Sequence, residues 1–285
     1  MSRTKKNKKL HKKTTKSRKK LFFFLFFLIL IISTLGITYL NTKTIIVHEH
    51  PITLSNLPSE NHGFKIVHFS DLHFGTSFRG NDIKRLVERI NRNNPDLIIF
   101  TGDLIDSSLT RTEEELLISA LKELNPTIGT YAVLGDEDDE RVKAIFEEAN
   151  IILLENELVE IFSKSNTPLF LYGLTYIDPN FDELIYNLEL VNDHVLILLT
   201  HHPDYFNKAP DVNIDLVLAG HSHNGQINLP FINLFNRIDQ DIIYSRPFNQ
   251  VDNTKIFTSA GIGTKYIPIR IGTGASFNLY RLLSE

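Results

Sequence analysis

The sequence predicts a layered α/β domain behind a single transmembrane helix, and three observations support this fold class. An uncharged apolar run covers Leu21–Leu40, close to the ~20 residues that a helix needs to cross a bilayer. From Phe64 onward, apolar strand-like runs alternate with stretches of helical periodicity, a pattern typical of βαβ units. From Asp241, short β-like runs are separated by Gly and Pro, which indicates a β-rich final third.

The charge pattern around the apolar run predicts how the chain is oriented. Residues 1–20 contain eleven Lys or Arg and no Asp or Glu, and such positive flanks stay on the cytoplasmic side. We therefore expect a basic cytoplasmic tail (1–20), a transmembrane helix (21–40), a juxtamembrane linker (41–62) and an extracytoplasmic domain (63–285). The alternative is a signal peptide cleaved near Ser33–Gly36, although the apolar region of such peptides usually has only ~7–15 residues.

Composition narrows the classes of function. Outside the basic tail, 19 Lys or Arg face 34 Asp or Glu, a formal charge of −15. Because such a body repels a phosphate backbone, no nucleic-acid partner is expected. The chain has no Cys, which excludes disulfides, thiolate nucleophiles and Cys-based zinc sites. Any metal would have to be held by imidazole, carboxylate, amide or backbone groups.

Periodicity and boundary signals place the elements of the domain in chain order. Helical spacing over Asn81–Asn93 puts four apolar side chains on one face. Thr112 and Glu115 resemble a capping box that opens a helix through Leu124, and a short helix is expected to end at Asn150. The predicted strands are Phe64–Ser70, Leu97–Thr101, Tyr131–Leu134, Val195–Thr200, Leu216–Ala219, Asp241–Tyr244, Lys255–Ser259 and Ser276–Leu282.

A polar cluster follows directly after each of the first five of these strands. The clusters are Asp71-Leu72-His73, Gly102-Asp103-Leu104-Ile105-Asp106, Gly135-Asp136-Glu137-Asp138-Asp139, His201-His202-Pro203 and Gly220-His221-Ser222-His223-Asn224-Gly225. Ligands of open α/β sheets bind at the carboxyl ends of the strands. If the strands share a sheet, these side chains converge there.

Carboxylate and imidazole without sulfur favour Mn, Fe or Zn in a hydrolytic site. Two such ions ~3.5–4 Å apart can clamp both oxygens of an in-line displacement at phosphorus. Asp71 and His73 would face the same way if the segment were extended, because alternate residues of a strand share a face. Each cluster alone is more typical of an ordinary surface loop, and only the joint arrangement indicates a metal site.

These residues resemble the motifs of the calcineurin-like metallophosphoesterase superfamily: Asp-x-His, Gly-Asp-x-x-Asp, Gly-Asn-His-Asp/Glu, His-x-Pro and Gly-His-x-His. The similarity runs from about Phe64 to the C-terminus. The stretch that begins at Gly220, together with Gly261–Thr264 and Pro268–Arg270, resembles the bacterial membrane-anchored branch. The resemblance implies a two-sheet sandwich flanked by helices, two divalent metal ions (Mn, Fe or Zn) and a phosphate-ester substrate.

The resemblance also implies a role for each motif residue. The first metal would be held by Asp71, His73, Asp103 and His223. The second would be held by Asp103, Asp136, His201 and His221, so that Asp103 bridges both. Asp106 would orient a ligand through hydrogen bonds, and His202 has no assigned role.

The third motif departs from the family pattern, because Asp136-Glu137 stands where Asn-His is usual. Asp136 can still bind metal and adds a negative charge. Glu137 replaces the His expected to protonate the leaving oxygen, and two nearby cations would keep it ionised. We therefore expect weak turnover of esters with poor leaving groups, unless Asp138 or Asp139 shifts inward to compensate.

The sequence predicts a membrane-anchored phosphoesterase, and a phosphodiesterase in preference to a monoesterase. The segment Asn228–Phe235 is either a core strand or an apolar edge of the site that suits a lipid-linked or cell-envelope substrate. Arg246 and Arg270 are candidate phosphate contacts, with ordinary structural roles as the alternative. The competing hypothesis is a catalytically weak relative that binds metal or a phosphorylated ligand. Membrane lipid is expected to contact residues 21–40.

Overall fold

The computed structural model describes residues 3–106, 108–175, 193–208, 213–229, 232–233 and 243–285. The chain divides into two units, Met1–Leu40 and Asn41–Glu285. The predicted apolar segment Asn228–Phe235 lies partly outside the described residues, so its two interpretations stay open. The predicted strand Asp241–Tyr244 also lies partly outside the described residues, and its two described residues form a turn.

The first unit consists of a helix, α1, which runs from Arg3 to Lys43 and so ends just inside the second unit. Its section Arg18–Leu40 is the one helix among the described residues that is long and apolar enough to cross a membrane. The large apolar side chains of this section are exposed, for example Phe22 at 65%. A row of exposed aromatic and aliphatic side chains suits a lipid environment.

The second unit alternates strands and helices in its first half and is mostly β-structure in its second half. Its helices are α2 (Asp82–Asn91), α3 (Arg111–Leu121) and α4 (Glu140–Glu148). Its strands are β1 (Ile45–Leu54), β2 (Phe64–Phe69), β3 (Leu97–Thr101), β4 (Gly129–Val133), β5 (Ile152–Leu153), β6 (Glu157–Ile161), β7 (Leu169–Leu174), β8 (Leu196–Thr200), β9 (Leu216–Ala219), β10 (Asn228–Leu229), β11 (Ile232–Asn233), β12 (Phe248–Val251), β13 (Thr254–Thr258) and β14 (Ala275–Ser284). Short 3₁₀ helices cover Ser59–Asn61, Pro203–Lys208 and His223–Gly225.

Within the described residues, the strands form two six-stranded mixed sheets and a small β10–β11 hairpin. The first sheet has the order β1-β14-β2-β3-β4-β5, and the second has the order β12-β13-β9-β8-β7-β6. β2, β3 and β4 are parallel to one another, as are β7, β8 and β9. The strands that precede the five polar clusters therefore point the same way within each sheet.

Apolar side chains on both faces of the strands build the layers. One face of the first sheet packs against the second sheet, as in the cluster that contains Ile66, Ile99 and Leu199. The opposite face packs against α2, α3 and α4, and Ile83 of α2 is fully buried there. Strands buried on both faces read as continuous apolar runs, which is why the sequence shows them clearly. The predicted two-sheet sandwich flanked by helices is confirmed.

The predicted linker over 41–62 is wrong where β1 forms. β1 pairs in parallel with β14 along its whole length, and buries Ile45, Ile52 and Leu54. It is the edge strand of its sheet, so its other side chains can be polar. Pro51 has no backbone N–H to donate, and an edge strand tolerates this because it pairs on one side only. Those polar residues are what suggested a linker.

The predicted opening of α3 is displaced by two residues. Thr110 is the N-cap, and its hydroxyl accepts a hydrogen bond from the backbone N–H of Glu113, whose carboxylate bonds back to the cap. Thr112 and Glu115 have the same spacing but lie inside the helix. Because Thr-x-x-Glu occurs twice in overlapping frames, the motif alone could not fix the boundary.

Candidate metal centre

The five polar clusters converge from the two sheets. The ligand-type atoms of Asp71, His73 and His223 lie within 4.8 Å of one another, as do those of Asp136, His201 and His221. A third such group, Asp71, Asp103 and His201, links these two, so the seven side chains predicted as metal ligands form one cluster. This convergence follows from the parallel strands, which bring their carboxyl ends to a common edge.

Asp103 lies between these two groups. Its Oδ2 atom is 3.5 Å from Nε2 of His73 and 3.5 Å from Nε2 of His201. His73 and His223 belong to one group, and their Nε2 atoms are 3.1 Å apart. His201 and His221 belong to the other, with 3.2 Å between Nε2 and Nδ1. One carboxylate is thus shared by two clusters of imidazole and carboxylate.

Buried lone pairs face one another in this cluster, which fits a bound cation. Oδ2 of Asp103 and Oδ1 of Asp136 are buried without a hydrogen-bond partner. Nδ1 of His201 lies 2.7 Å from the carbonyl oxygen of Thr101 and donates to it, so loss of the second ring proton would leave the Nε2 lone pair facing Asp136, 3.1 Å away. Unpaired buried acceptors are costly, and divalent ions satisfy all of them together.

The backbone of the ligand loops is strained. The φ angles of Asp71 (49°), His73 (38°), Asp103 (60°), His221 (70°) and His223 (49°) are all positive. Non-glycine residues rarely adopt this region, and such strain clusters at functional sites. The expected extended conformation of Asp71 and His73 is therefore wrong: the side chains meet because the loop turns sharply after β2.

Close approach explains two of the motif glycines. A Cβ on Gly102 would lie 2.5 Å from Nδ1 of His201, and a Cβ on Gly135 would lie 2.2 Å from Oδ1 of Asp103. Neither distance is compatible with a side chain. Both positions must stay without a Cβ for Asp103 and His201 to occupy their observed places.

Asp138 ties together the loops that follow β3 and β4, a role that the sequence did not indicate. Its carboxylate accepts hydrogen bonds of 2.8 Å from the backbone N–H groups of Asp103, Leu104 and Gly135. Burial, and then the charge of Asp103, raise the pKa of Asp138 to about 6. Asp138 therefore holds backbone and does not turn toward the ligand atoms, and Asp139 serves as the N-cap of α4. Neither residue compensates for Glu137.

Glu137 lies at the mouth of the centre, where it contacts both a ligand and a lysine. Its carboxylate is 3.4 Å from Nδ1 of His73 and 2.8 Å from Nζ of Lys265. These contacts, with His73 the stronger, lower the pKa of Glu137 despite its partial burial. A cleft of about 450 Å³ opens beside these residues, and Tyr266 and Ile267 are among its lining side chains. Lys265 follows the Gly261–Thr264 motif directly, which is the signal that could have identified it.

Other predicted residues are placed as follows. Asp106 lines the cleft, but among the described residues its carboxylate bonds Ser108, so no contact supports a role in orienting a ligand. The ring of His202 packs against His221, with centroids 4.8 Å apart. Arg270 is fully buried and donates to the carbonyl of Gly263, and its Nη2 lies 3.4 Å from Nδ1 of His223.

The clustered carboxylates give the centre a predictable pH dependence. Burial lowers the pKa of His201, but Asp103 and Asp136 outweigh it and hold that pKa well above its usual range. The pKa of His73 is likewise raised, since Glu137 and Asp103 outweigh burial. A cation must displace these protons, so divalent-metal affinity is expected to rise with pH, by about tenfold per unit for each proton released. Calorimetric titrations with Mn²⁺ at about pH 6 and about pH 8 measure this, and equal affinities would contradict it.

The chain is similar in sequence or in fold to several known proteins. The chain is 29% identical over 255 residues to the uncharacterized metallophosphoesterase YkuE of Bacillus subtilis, covering 86% of this chain and 88% of that protein. It is 27% identical over 241 residues to a transmembrane protein with metallophosphoesterase domain of Danio rerio, covering 78% and 54%. The crystal structure of the protein TT1561 of Thermus thermophilus superposes with a TM-score of 0.46 at 12% identity, covering 70% and 90%.

The family model for calcineurin-like phosphoesterases matches residues 64–225. That range begins at the first residue of β2 and includes all seven clustered side chains. The chain therefore belongs to the calcineurin-like phosphoesterase family, and it is a metal-dependent phosphoesterase of a family that binds two divalent ions.

Proposed function

We propose that the protein is a membrane-anchored phosphodiesterase with a dinuclear metal centre. In this proposal one ion is held by Asp71, His73, Asp103 and His223, and the other by Asp103, Asp136, His201 and His221. The observation that carries it is the shared position of Asp103, whose unpaired Oδ2 lies 3.5 Å from an imidazole of each group. Bound divalent ions supply Lewis-acid chemistry and an activated nucleophile for phosphoryl transfer.

The charge of the site favours diesters over monoesters. Asp136 and Glu137 both carry negative charge beside the clustered ligands, and the pKa of each is lowered. A phosphate monoester at neutral pH brings up to two negative charges, whereas a diester brings one. Each of these negative charges weakens the attraction of the metal-loaded site for a dianion more than for a monoanion, so the diester is expected to be the better substrate.

Turnover of bis-p-nitrophenyl phosphate and p-nitrophenyl phosphate by the full-length chain in detergent with Mn²⁺ tests this assignment. We expect a higher kcat/KM for the diester. Preference for the monoester would overturn the diesterase assignment. Retention of metal without turnover of either ester would favour the competing hypothesis of a binding protein, which rests on Glu137 at the position of the expected imidazole.

Glu137 is proposed to contribute no proton to the leaving group, because its carboxylate is ionised between His73 and Lys265. Rates should then fall steeply from p-nitrophenyl to alkyl leaving groups. Replacing Glu137 with His is expected to raise turnover of alkyl phosphodiesters, since general-acid help typically supplies ~10²–10⁴-fold. Comparing alkyl and p-nitrophenyl esters in both proteins measures this. An unchanged alkyl rate would refute this account of position 137.

The proposed location is the outer face of a membrane, with the N-terminus cytoplasmic. It is supported by the uncharged run Leu21–Leu40 behind a basic flank. Protease protection of the domain in intact spheroplasts, compared with lysed ones, tests the orientation. Digestion of the domain only after lysis would reverse the proposed orientation. Release of the domain from membranes would indicate a cleaved signal peptide.

A lipid-linked or cell-envelope diester is the proposed substrate class. The domain begins directly after the apolar run: Thr42 accepts a hydrogen bond from the backbone of Arg270, and Lys43 pairs with Asp82. The cleft is lined by Tyr266 and Ile267, whose side chains are 70% and 42% exposed. Aromatic and aliphatic groups beside a phosphate site suit a substrate with an apolar tail. A substrate screen in mixed micelles, with lipid-linked and nucleotide diesters side by side, tests this class.

A further inference from the structure

Lys265 brings a positive charge to the mouth of the metal centre. Its ammonium group lies 2.8 Å from Oε1 of Glu137, and its side chain is 21% exposed. Both residues line the cleft, together with the ligand His73. A cation is therefore held where an oxygen of a bound phosphate ester would approach the clustered ligands.

The position of Lys265 is fixed by Gln226, a buried residue that follows the last ligand motif. The Gln226 side-chain oxygen accepts a 2.7 Å hydrogen bond from the backbone N–H of Lys265. Its amide nitrogen lies within 3.1 Å of the carbonyl oxygens of Lys265, Ile267 and Ile269. Gln226 is 2% exposed, so the loop that carries Lys265 is bound to the turn that carries His223. Lys265 is not a freely moving surface lysine.

The surroundings keep Lys265 charged. Burial lowers its pKa, but the pairing with Glu137 and the charge of Asp136 outweigh this and raise the pKa above its usual value. A lysine ammonium has three donors, and the contact with Glu137 uses one of them. The remaining donors can bind oxygen atoms of a ligand in the cleft.

We propose that Lys265 binds a phosphoryl oxygen of the substrate with the donors that its contact with Glu137 leaves available. The proposal rests on the phosphoesterase function above and assigns a phosphate-binding residue outside the metal ligands. A loop that is distant in sequence thereby places a cationic group beside position 137, where the resemblance leads one to expect a His. The simpler alternative is that Lys265 only neutralises the charge of Glu137.

Two substitutions separate these roles. Lys265→Met removes the cation, whereas Glu137→Gln keeps the cation and removes its partner. Lys122→Met is the matched control, because Lys122 is an exposed lysine at the C-cap of α3. Inorganic phosphate is the probe, and its binding to the full-length, Mn²⁺-loaded protein in detergent is followed by calorimetry, which needs no turnover. Bound metal is quantified for every variant.

We expect Lys265→Met to weaken phosphate binding by about tenfold or more, with unchanged metal content. Lys122→Met should have no effect, Glu137→Gln should bind phosphate at least as tightly as the unmodified protein, and Lys265→Arg should recover most of the affinity. Recovery of full phosphate affinity in the Lys265→Met/Glu137→Gln double variant would show that Lys265 only neutralises the charge of Glu137, and would overturn the proposal. Phosphate binding that depends on Lys265 in a protein without ester turnover would support this contact and count against the proposed function.

Discussion

Replacing Asp103 with asparagine is expected to lower kcat/KM for bis-p-nitrophenyl phosphate by about a thousandfold or more. Asp103 is the one carboxylate that lies within 3.5 Å of an imidazole of each ligand group among the described residues. An amide keeps the shape but removes the charge that both clusters share. Since metal ions supply several kcal/mol of transition-state stabilisation, loss of either ion would produce a decrease of this size.

The measurement pairs steady-state kinetics with metal content. Asp103→Asn should retain less than the full complement of Mn²⁺ after gel filtration. Asp252→Asn is the matched control, because Asp252 lies in an exposed turn at positive φ, where asparagine is equally suited. Full activity in Asp103→Asn would disprove a shared carboxylate, and equal losses in both variants would point to a general folding defect.

Replacing Asp138 with asparagine is expected to destabilise the folded domain by about 2–4 kcal/mol. The carboxylate accepts from three backbone N–H groups, two in the loop after β3 and one in the loop after β4. An asparagine amide has one acceptor oxygen and points donors at the remaining N–H groups. A buried donor left without a partner costs about 1–3 kcal/mol, and the displaced loop would also move Asp103.

Urea unfolding monitored by circular dichroism measures this change for the full-length chain in detergent. The neighbouring Asp139→Asn is the control, because Asp139 is the N-cap of α4 and asparagine caps helices about as well as aspartate. A midpoint for Asp138→Asn equal to that of Asp139→Asn would show that the three backbone contacts contribute little.

The strands that carry the ligands could be predicted because they are short and buried on both faces. Leu97–Thr101 and Leu216–Ala219 match β3 and β9 to the residue. β1 was missed because an edge strand exposes one side to solvent, so its polar residues imitate a linker. Continuous apolar runs therefore located β3 and β9, although β7, an equally buried interior strand, was also missed.

The roles of Glu137, Asp138 and Asp139 show where sequence reasoning ends. These adjacent acidic residues contact respectively a lysine, three backbone N–H groups and the first turn of a helix. Which way each one points depends on loops that are distant in sequence. Asp106 fits its motif equally well, yet its described contacts are local. Motif spacing predicted which side chains cluster, whereas the residues around that cluster depend on tertiary contacts.

The placement of β14 between β1 and β2 has a consequence for biosynthesis. β1 emerges from the ribosome soon after the apolar helix, but its neighbour in the sheet, β14, is translated only after β2 to β13. Until then β1 and β2 expose backbone groups that can pair with other chains. Closing such a long-range pairing is slow, so the nascent domain would depend on chaperones until β14 has been made.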